Sequence, residues 1–341
     1  MRPRERRVPG GYKKRGFDKS CPGATDCFRN AAEAGADEPD AAPGENPVRR
    51  SGASTAIARI LLLLAICASP PTLHAQTASE ELKLEEEFTD PLTTLPQLTV
   101  RDAYTPAMYG TDLEANDLIV RPIIPRIPPQ TLLPFFQLIR PTFRLATLPS
   151  PTGGTITGFG DLPVFDIAVL PWPDRKKTGV LLGVGPALVF PTANERSLGQ
   201  GAWQAGPAFG AAYTGIPGLL VGVIVQNPIS FAYTSPDRPP QNTLQVQPIL
   251  AVHLYDGWYL RSAEATWTIG WHHNTPTMIP LSLGLGRTFV RAGLPPMSFF
   301  VTGEWMVYRQ FAPVAPQTTI NFGMTVAFPQ FRDWLVRSAT R

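Results

Sequence analysis

The stretch TTINFGMTVAF, Thr318–Phe328, alternates between two kinds of side chain. From residue 320 its even positions are large and apolar, whereas its odd positions are small or polar. A period of two places successive side chains on opposite faces of a β-strand. A strand of this length is about twice the usual 5–6 residues of a soluble protein and matches the roughly 9–11 tilted residues that cross a bilayer. The stretch therefore predicts a long strand with one apolar and one polar face.

The same alternation recurs along the chain, for example over residues 219–226 and 244–254, with Gly, Pro and Asp turns between segments. Twelve strands are predicted, an even number as in single-chain bacterial barrels. Ten is the alternative count, because prolines interrupt the first two segments. The twelve are 97–109, 117–127, 132–146, 155–171, 177–190, 201–214, 218–233, 242–255, 257–271, 279–291, 297–310 and 317–328.

The polar faces of these strands carry Gly, Ala, Ser, Thr and Gln more than the Lys and Glu of a solvated sheet. Small polar residues are typical of a wet or closely packed lumen, and a closed barrel is the β-structure that satisfies its backbone groups in lipid. The predicted fold is all-β, an antiparallel transmembrane up-and-down β-barrel over residues 97–328. A secreted soluble β protein, with its apolar faces inside, is the alternative.

Composition excludes several other classes. Of 341 residues, 17% are charged and 43% are hydrophobic, which is too apolar for a disordered polyelectrolyte. With 38 prolines and 29 glycines, a helix bundle is disfavoured. The net charge of +3 is too small to indicate a nucleic-acid partner.

The sequence before residue 76 has the features of a leader peptide. Arg49 and Arg50 precede the apolar run 60–66 and a small-residue exit at Ala75. This order predicts a cleaved signal peptide over 48–75 and export to the bacterial outer membrane. Residues 1–47 are then disordered or not translated. The three cysteines precede residue 76, which suits passage through an oxidising periplasm.

Two short segments flank the predicted barrel. Residues 76–96 are rich in glutamate and are expected to be a solvated extension. Residues 329–341 form a tail beyond Phe328, where the last strand of a barrel protein usually ends the chain.

Parity along residues 258–271 predicts which aromatic residues face lipid. Tyr259, Trp267 and Trp271 have odd numbers and are expected on the lipid side, at the spacing of two interfacial belts. Arg261 has the same parity, which is tolerable only near an interface.

Four ionisable residues are predicted to face the lumen by parity. They are Glu264, Glu304, His253 and Asp166. Either they line an open path or they pair with arginines across the interior, and the sequence leaves both open.

The sequence offers little support for a metal site, a phosphate-binding loop or a catalytic site. No cysteine pair or His-x-x-x-His spacing offers a metal site, and His272 and His273 point to opposite faces of one strand. The glycine pairs near 183 and 284 lack a third glycine and a following helix. We therefore predict no catalytic, cofactor or metal residues and no enzymatic activity.

A series of short motifs, in order, resembles the outer-membrane transporter family named for the meta-pathway of phenol degradation. The motifs are Thr157–Leu162, Gly183–Ala187, Phe190–Ala193, Leu198–Pro207, Val225–Phe231, Asp256–Leu260, Pro280–Arg287 and Val326–Pro329. The resemblance covers about residues 118–329. It implies an outer-membrane barrel that passes small, in part aromatic, molecules, and it brings no catalytic residues.

The function expected from these observations is a passive channel or transporter for small molecules. Its partners would be outer-membrane lipid, the barrel-assembly machinery and small solutes, with no nucleic acid. A sealed structural or adhesive barrel that acts through its loops is the alternative.

Overall fold

The computed structural model describes residues 86–339, except 111, 128–130, 132–133, 151–152, 171–178, 263–264, 272–275, 292 and 311–314. The signal peptide predicted over 48–75 and the segment 1–47 lie outside the described residues. So does the first part of the acidic extension, up to residue 85.

Sixteen strand segments form one antiparallel sheet. They are β1 (Gln97–Met108), β2 (Ala115–Arg126), β3 (Phe136–Pro141), β4 (Phe143–Pro149), β5 (Thr155–Phe159), β6 (Leu162–Val169), β7 (Val180–Phe190), β8 (Ala202–Ile216), β9 (Leu219–Gln226), β10 (Ile229–Tyr233), β11 (Thr243–His253), β12 (Trp258–Arg261), β13 (Trp267–Gly270), β14 (Met278–Phe289), β15 (Met297–Arg309) and β16 (Pro316–Ala327).

The sixteen segments make twelve barrel strands, because four strands are interrupted. The pairs β3/β4, β9/β10 and β12/β13 each share a neighbour in the sheet, and β5 and β6 continue one another across Gly160 and Asp161. β1 pairs with both β2 and β16, from Gln97 opposite Ala327 onward, which closes the sheet. The prediction of a closed antiparallel barrel of twelve strands is confirmed.

The prolines that made the first two strands uncertain are accommodated within them. Pro106 lies at a register shift of β1, and Pro122 and Pro125 lie within β2. Proline cannot donate to the ladder, and Pro122 lies where β2 changes its neighbour from β4 to β3.

On β14 and β16 the large apolar side chains face outward. On β14, Leu281, Leu283 and Leu285 are 54%, 55% and 43% exposed. On β16, Asn321 is 1% exposed and Ile320 is 36% exposed. This arrangement is the reverse of a soluble barrel and is the one that a lipid environment stabilises.

The barrel has two distinct ends. We call the end where β1 begins and β16 finishes the terminal end, and the opposite one the distal end. The tight turns β8–β9 and β11–β12 lie at the terminal end. The second contains Asp256 (φ 56°) and Gly257 (φ 74°), the left-handed pair of a type I′ hairpin turn.

The side chains of β12 face the opposite sides of the barrel wall from those predicted. Tyr259 is opposite His253 and Arg261 is opposite Ala251, so both face inward, whereas Leu260 is 38% exposed. Trp267 instead pairs with Val246 on the outer face, as predicted. Across the break between β12 and β13, the odd-numbered side chains change from the inner face to the outer face. A prediction that assumes continuous alternation along residues 258–271 could not reveal this change.

A helix, Pro329–Ala339, follows the last strand. Among the described residues, no helix has the length and apolar character needed to cross a membrane.

Candidate functional site

Charged side chains from neighbouring strands meet on the inner wall. Glu304 of β15 accepts a hydrogen bond from Asn321 of β16 (2.9 Å) and lies 3.8 Å from the guanidinium of Arg101 of β1. Arg144 of β4 donates two hydrogen bonds, of 2.8 and 2.9 Å, to the carboxylate of Asp117 of β2. We call these five residues the inner charge network. Glu304 thus faces the interior and is paired there.

Arginines outnumber carboxylates at the inward-facing strand positions. The inward arginines include Arg101, Arg121, Arg140, Arg144 and Arg261. Among the strand residues described, the inward carboxylates are Asp117 and Glu304. The strand positions of the inner wall thus carry more positive than negative formal charge, and an excess of positive charge attracts anions.

Two of these arginines lie over aromatic rings inside the barrel. The guanidinium carbon of Arg140 is 3.8 Å from the ring centre of Phe165, and that of Arg261 is 4.5 Å from the ring centre of Phe300. Such cation–π contacts hold the guanidinium planes against the wall.

Residues 86–96 enter the barrel at its terminal end, and we call them the N-terminal segment. Phe88, Leu92 and Leu95 are buried, and Glu86 accepts a hydrogen bond (3.0 Å) from the backbone N–H of Gly218. The expectation of a solvated extension is therefore wrong for this part. The acidic residues suggested solvation, but the apolar residues between them supply a face that the barrel buries.

The Leu92 side chain packs against Gly183 and Gly210, which we call the glycine seat. It is fully buried in an apolar cluster with Leu138, Ile167 and neighbouring inward residues. A Cβ at Gly210 would lie 2.8 Å from the Leu92 side chain, and one at Gly183 would lie 3.3 Å from it. The absence of side chains at these two positions makes room for Leu92 in the lumen.

His253 lies where the N-terminal segment meets β11. It is 8% exposed, its Nε2 is 3.4 Å from the hydroxyl of Thr89, and its ring centre is 5.8 Å from that of Tyr259. His253 faces the interior and contacts the segment.

The other two residues predicted to face the lumen are Asp166 and Glu264. Residues that are opposite each other in neighbouring strands share one face of the sheet. Asp166 is opposite Ile139, and Ile139 is opposite Ile124, which is 45% exposed on the outer wall. Asp166 therefore has outward parity, a correction to the prediction, because Phe165 and Ile167 take the inward positions and pack in the apolar cluster. Glu264 lies outside the described residues, as do His272 and His273.

A cavity of about 180 Å³ lies against the inner charge network. It is large enough for several water molecules. Its lining includes Glu304, Thr268, Thr319 and Met306. Across the part of the chain that the structure describes, no three His, Cys, Asp or Glu side chains are grouped to hold a metal ion.

At the distal end, two loops are joined by an ion pair. Arg196, in the short 3-10 helix Arg196–Leu198, donates a hydrogen bond to the carboxylate of Asp237, which also accepts one from Ser235. These two bonds lower the pKa of Asp237 from 3.8 to about 2. Arg238 adds a bond of 2.9 Å to the carbonyl of Gly199.

This depressed pKa predicts a loosening of the loops in acid. Because the folded-state pKa lies below the unfolded value, the ordering effect is complete above pH 3.8 and is lost as the pH falls through about 2. Pepsin should therefore cut the two loops faster near pH 2 than near pH 4, after correction for its rate on an unstructured substrate. Asp237→Asn should remove the difference, and equal wild-type rates would contradict this role.

The fold is similar to that of solved outer-membrane proteins. An outer-membrane channel from Pseudomonas putida F1 matches with a TM-score of 0.50 and 13% identity, over 70% of this chain and 98% of that chain. The NanC porin matches at 0.45 and 12% identity, over 68% and 98%, and the KdgM porin at 0.40 and 8%, over 68% and 99%. The first match supports the same barrel fold.

No protein-family model matches the chain, and neither does any curated protein. The resemblance to the family of the phenol meta-pathway therefore gains no support from these comparisons.

Proposed function

We propose that this chain is an outer-membrane channel through which small organic anions, aromatic carboxylates among them, diffuse. The observation that carries the proposal is the distribution of side chains, apolar on the outer wall and arginine-rich on the inner wall. Diffusion through such a lumen requires no catalytic group. Electrostatic focusing in a narrow, positively charged lumen favours anions over neutral solutes of the same size.

Carboxylates, of which benzoate is an aromatic example, suit this lumen for a second reason. The inner wall presents guanidinium planes beside aromatic rings at Arg140 and Arg261. A guanidinium recognises a carboxylate by paired hydrogen bonds, whereas the rings of Phe165 and Phe300 are 5% and 3% exposed and hold the guanidinium groups in place. In liposome swelling, benzoate should enter faster than a neutral sugar of similar size. Entry of the sugar without benzoate would overturn this part of the proposal.

The charge balance of the lumen predicts its ion selectivity. In planar bilayers under a KCl gradient, the wild-type channel should prefer chloride. Arg121→Gln should lower the chloride-to-potassium permeability ratio, and Glu304→Gln should raise it. A change of roughly twofold to fivefold is expected, because one charge at about 4 Å is worth about 1 kcal/mol in water.

Arg126→Gln is the matched control, because Arg126 has outward parity beside Ile124. It should leave the ratio unchanged. A wild-type preference for potassium, or a ratio that neither inward variant alters, would refute the proposed anion path. A sealed barrel that acts through its loops is the second candidate, since the N-terminal segment lies inside the terminal end. It would show no conductance even when that segment is displaced.

We also propose that residues 48–75 direct secretion and are cleaved after Ala75. The assembly machinery would then insert the barrel with its terminal end toward the periplasm, where bacterial barrels have their short turns. Sequencing of the membrane-extracted protein should begin at Gln76. A protein that retains Met1 would refute this proposal.

A further inference from the structure

The helix Pro329–Ala339 begins directly beyond the last barrel strand. The backbone N–H of Phe328 bonds the carbonyl of Pro96 (2.8 Å), and Pro329 supplies the fixed backbone angle suited to a first helical position. The N–H of Phe331 bonds the carbonyl of Phe328 (3.1 Å). The start of the helix is therefore held at the rim of the terminal end.

One face of this helix is tied to the mouth of the barrel. Arg332 donates hydrogen bonds of 3.2 and 2.9 Å to the two carboxylate oxygens of Glu87 in the N-terminal segment. Because that segment lies inside the barrel, the Arg332 face of the helix is turned toward the barrel axis.

The opposite face carries a pair of exposed aromatic rings. Phe331 and Trp334 are 46% and 59% exposed, and their rings stack with centres 5.6 Å apart and an interplanar angle of 18°. At 3.6 residues per turn, the centre of this pair lies about 130° around the helix from Arg332. The aromatic face is thus turned away from the axis, to the side where lipid lies.

The aromatic face continues the outer wall of the barrel. Phe328 has the outward parity of Met324 and Val326 on β16 and is 42% exposed. Phe328, Phe331 and Trp334 follow one another at intervals of three residues, which places them in one row leading from the barrel wall onto the helix. Aromatic rings are enriched at the level of lipid headgroups, where one edge is apolar and the other is wet.

We propose that this helix lies flat in the headgroup layer at the terminal end, with the rings of Phe328, Phe331 and Trp334 inserted among the upper acyl chains. Interfacial helices bury their apolar face about 5–10 Å into this boundary. Arg337, which is exposed in the last turn, borders the aromatic face at the level where headgroup phosphates lie. The helix anchors the rim of the barrel to the inner leaflet, and Arg332 links this anchor to the N-terminal segment. The inference rests on the proposed membrane location of the barrel.

Depth-dependent quenching tests the position of the helix. In the full chain, with Cys21, Cys27 and Cys67 replaced by serine, Trp334→Cys gives one site for a fluorescent label. The protein is reconstituted in phosphatidylcholine vesicles whose acyl chains are brominated either near the headgroup or near the chain end. The label at 334 should be quenched by both lipids, and more strongly by bromine near the headgroup.

Labels at two control sites distinguish a failure of the proposed helix anchor from a failure of the proposed membrane location of the barrel. Leu283→Cys, in the middle of the outer wall, should be quenched more strongly by bromine near the chain end. Glu195→Cys, in an exposed distal loop, should be quenched by neither lipid. If 283 is quenched and 334 is not, the helix anchor is refuted while the barrel stands. If 283 is not quenched, the proposed membrane location is refuted.

A second variant tests the aromatic face itself. Phe331→Ser in the labelled Trp334→Cys chain should reduce the quenching at 334 by both brominated lipids, because it removes the neighbouring inserted ring. Phe331 is exposed, so the barrel should fold, and quenching at 283 in the equivalent variant should be unchanged. Undiminished quenching at 334 would refute the role assigned to the row of rings.

Discussion

Leu92→Ala should release the N-terminal segment from the lumen and raise the single-channel conductance. The side chain is fully buried in the apolar cluster, against the glycine seat. Truncation of a buried leucine to alanine costs about 2–5 kcal/mol. Every 1.4 kcal/mol changes an equilibrium about tenfold, so the fraction of molecules with the segment displaced should rise roughly 30-fold or more. The measurement is planar-bilayer conductance, with folding checked by heat-modifiable migration on gels.

Two further variants define what this result means. Leu113→Ala, in a distal loop where the side chain is 49% exposed, should leave conductance unchanged. Gly210→Ala should act in the same direction but more weakly, because its added Cβ would lie 2.8 Å from a terminal methyl group of Leu92, which can shift. Wild-type conductance in both Leu92→Ala and Gly210→Ala would show that the seat does not control the path through the barrel.

Leu283→Arg should destabilise the barrel in lipid by about 2–4 kcal/mol, the cost of a lipid-facing arginine at the bilayer midplane. Leu283 lies in the middle of β14 and is 55% exposed on the outer wall. The free energy of unfolding is measured by denaturant titration of the protein in phosphatidylcholine vesicles.

Leu254→Arg is the control for depth. Leu254 is 47% exposed directly after β11, at the terminal end. Near an interface the cost of an outward arginine falls to about 0–1 kcal/mol. Equal costs at 283 and 254 would contradict the assignment of the outer wall to lipid. A large stabilisation at 283 would indicate a water-facing surface.

The acidic residues of the N-terminal segment help to hold it in the barrel. Glu86 accepts from the backbone of Gly218 at the terminal end, and Glu87 pairs with Arg332 of the C-terminal helix. Asp90 accepts a hydrogen bond from the N–H of Leu92 within the segment (2.9 Å). These contacts hold the segment to the β8–β9 turn and to the C-terminal helix, and they order its own backbone.

Most of the strands could be predicted from the sequence. The alternation over Thr318–Phe328 matches β16, and its apolar positions are on the outside, as predicted. Alternation is a property of consecutive residues, and a strand places them on opposite faces whatever its partners are. The inward position of Glu304 follows from the same rule, because β15 is uninterrupted.

Where strands are interrupted, parity no longer follows from residue numbers. Continuous alternation predicts Tyr259 and Arg261 on the lipid side, but both face inward because the alternation changes phase between β12 and β13. Alternation likewise predicts Asp166 in the lumen, but it has outward parity because Phe165 and Ile167 pack inside in the apolar cluster. The first error comes from an interruption within one strand, and the second comes from contacts between residues far apart in the chain.

The sequence by itself determined the all-β class, the number of strands and the side of each uninterrupted strand that meets lipid. All of these depend on local periodicity and on the length of each apolar stretch. Only the tertiary structure decided that Leu92 is seated on Gly183 and Gly210, that Glu304 pairs with Arg101, and that the final helix turns its rings away from the axis. These depend on distances between residues about 90 to 245 positions apart, and such distances are set by closure of the sheet rather than by any neighbouring residue.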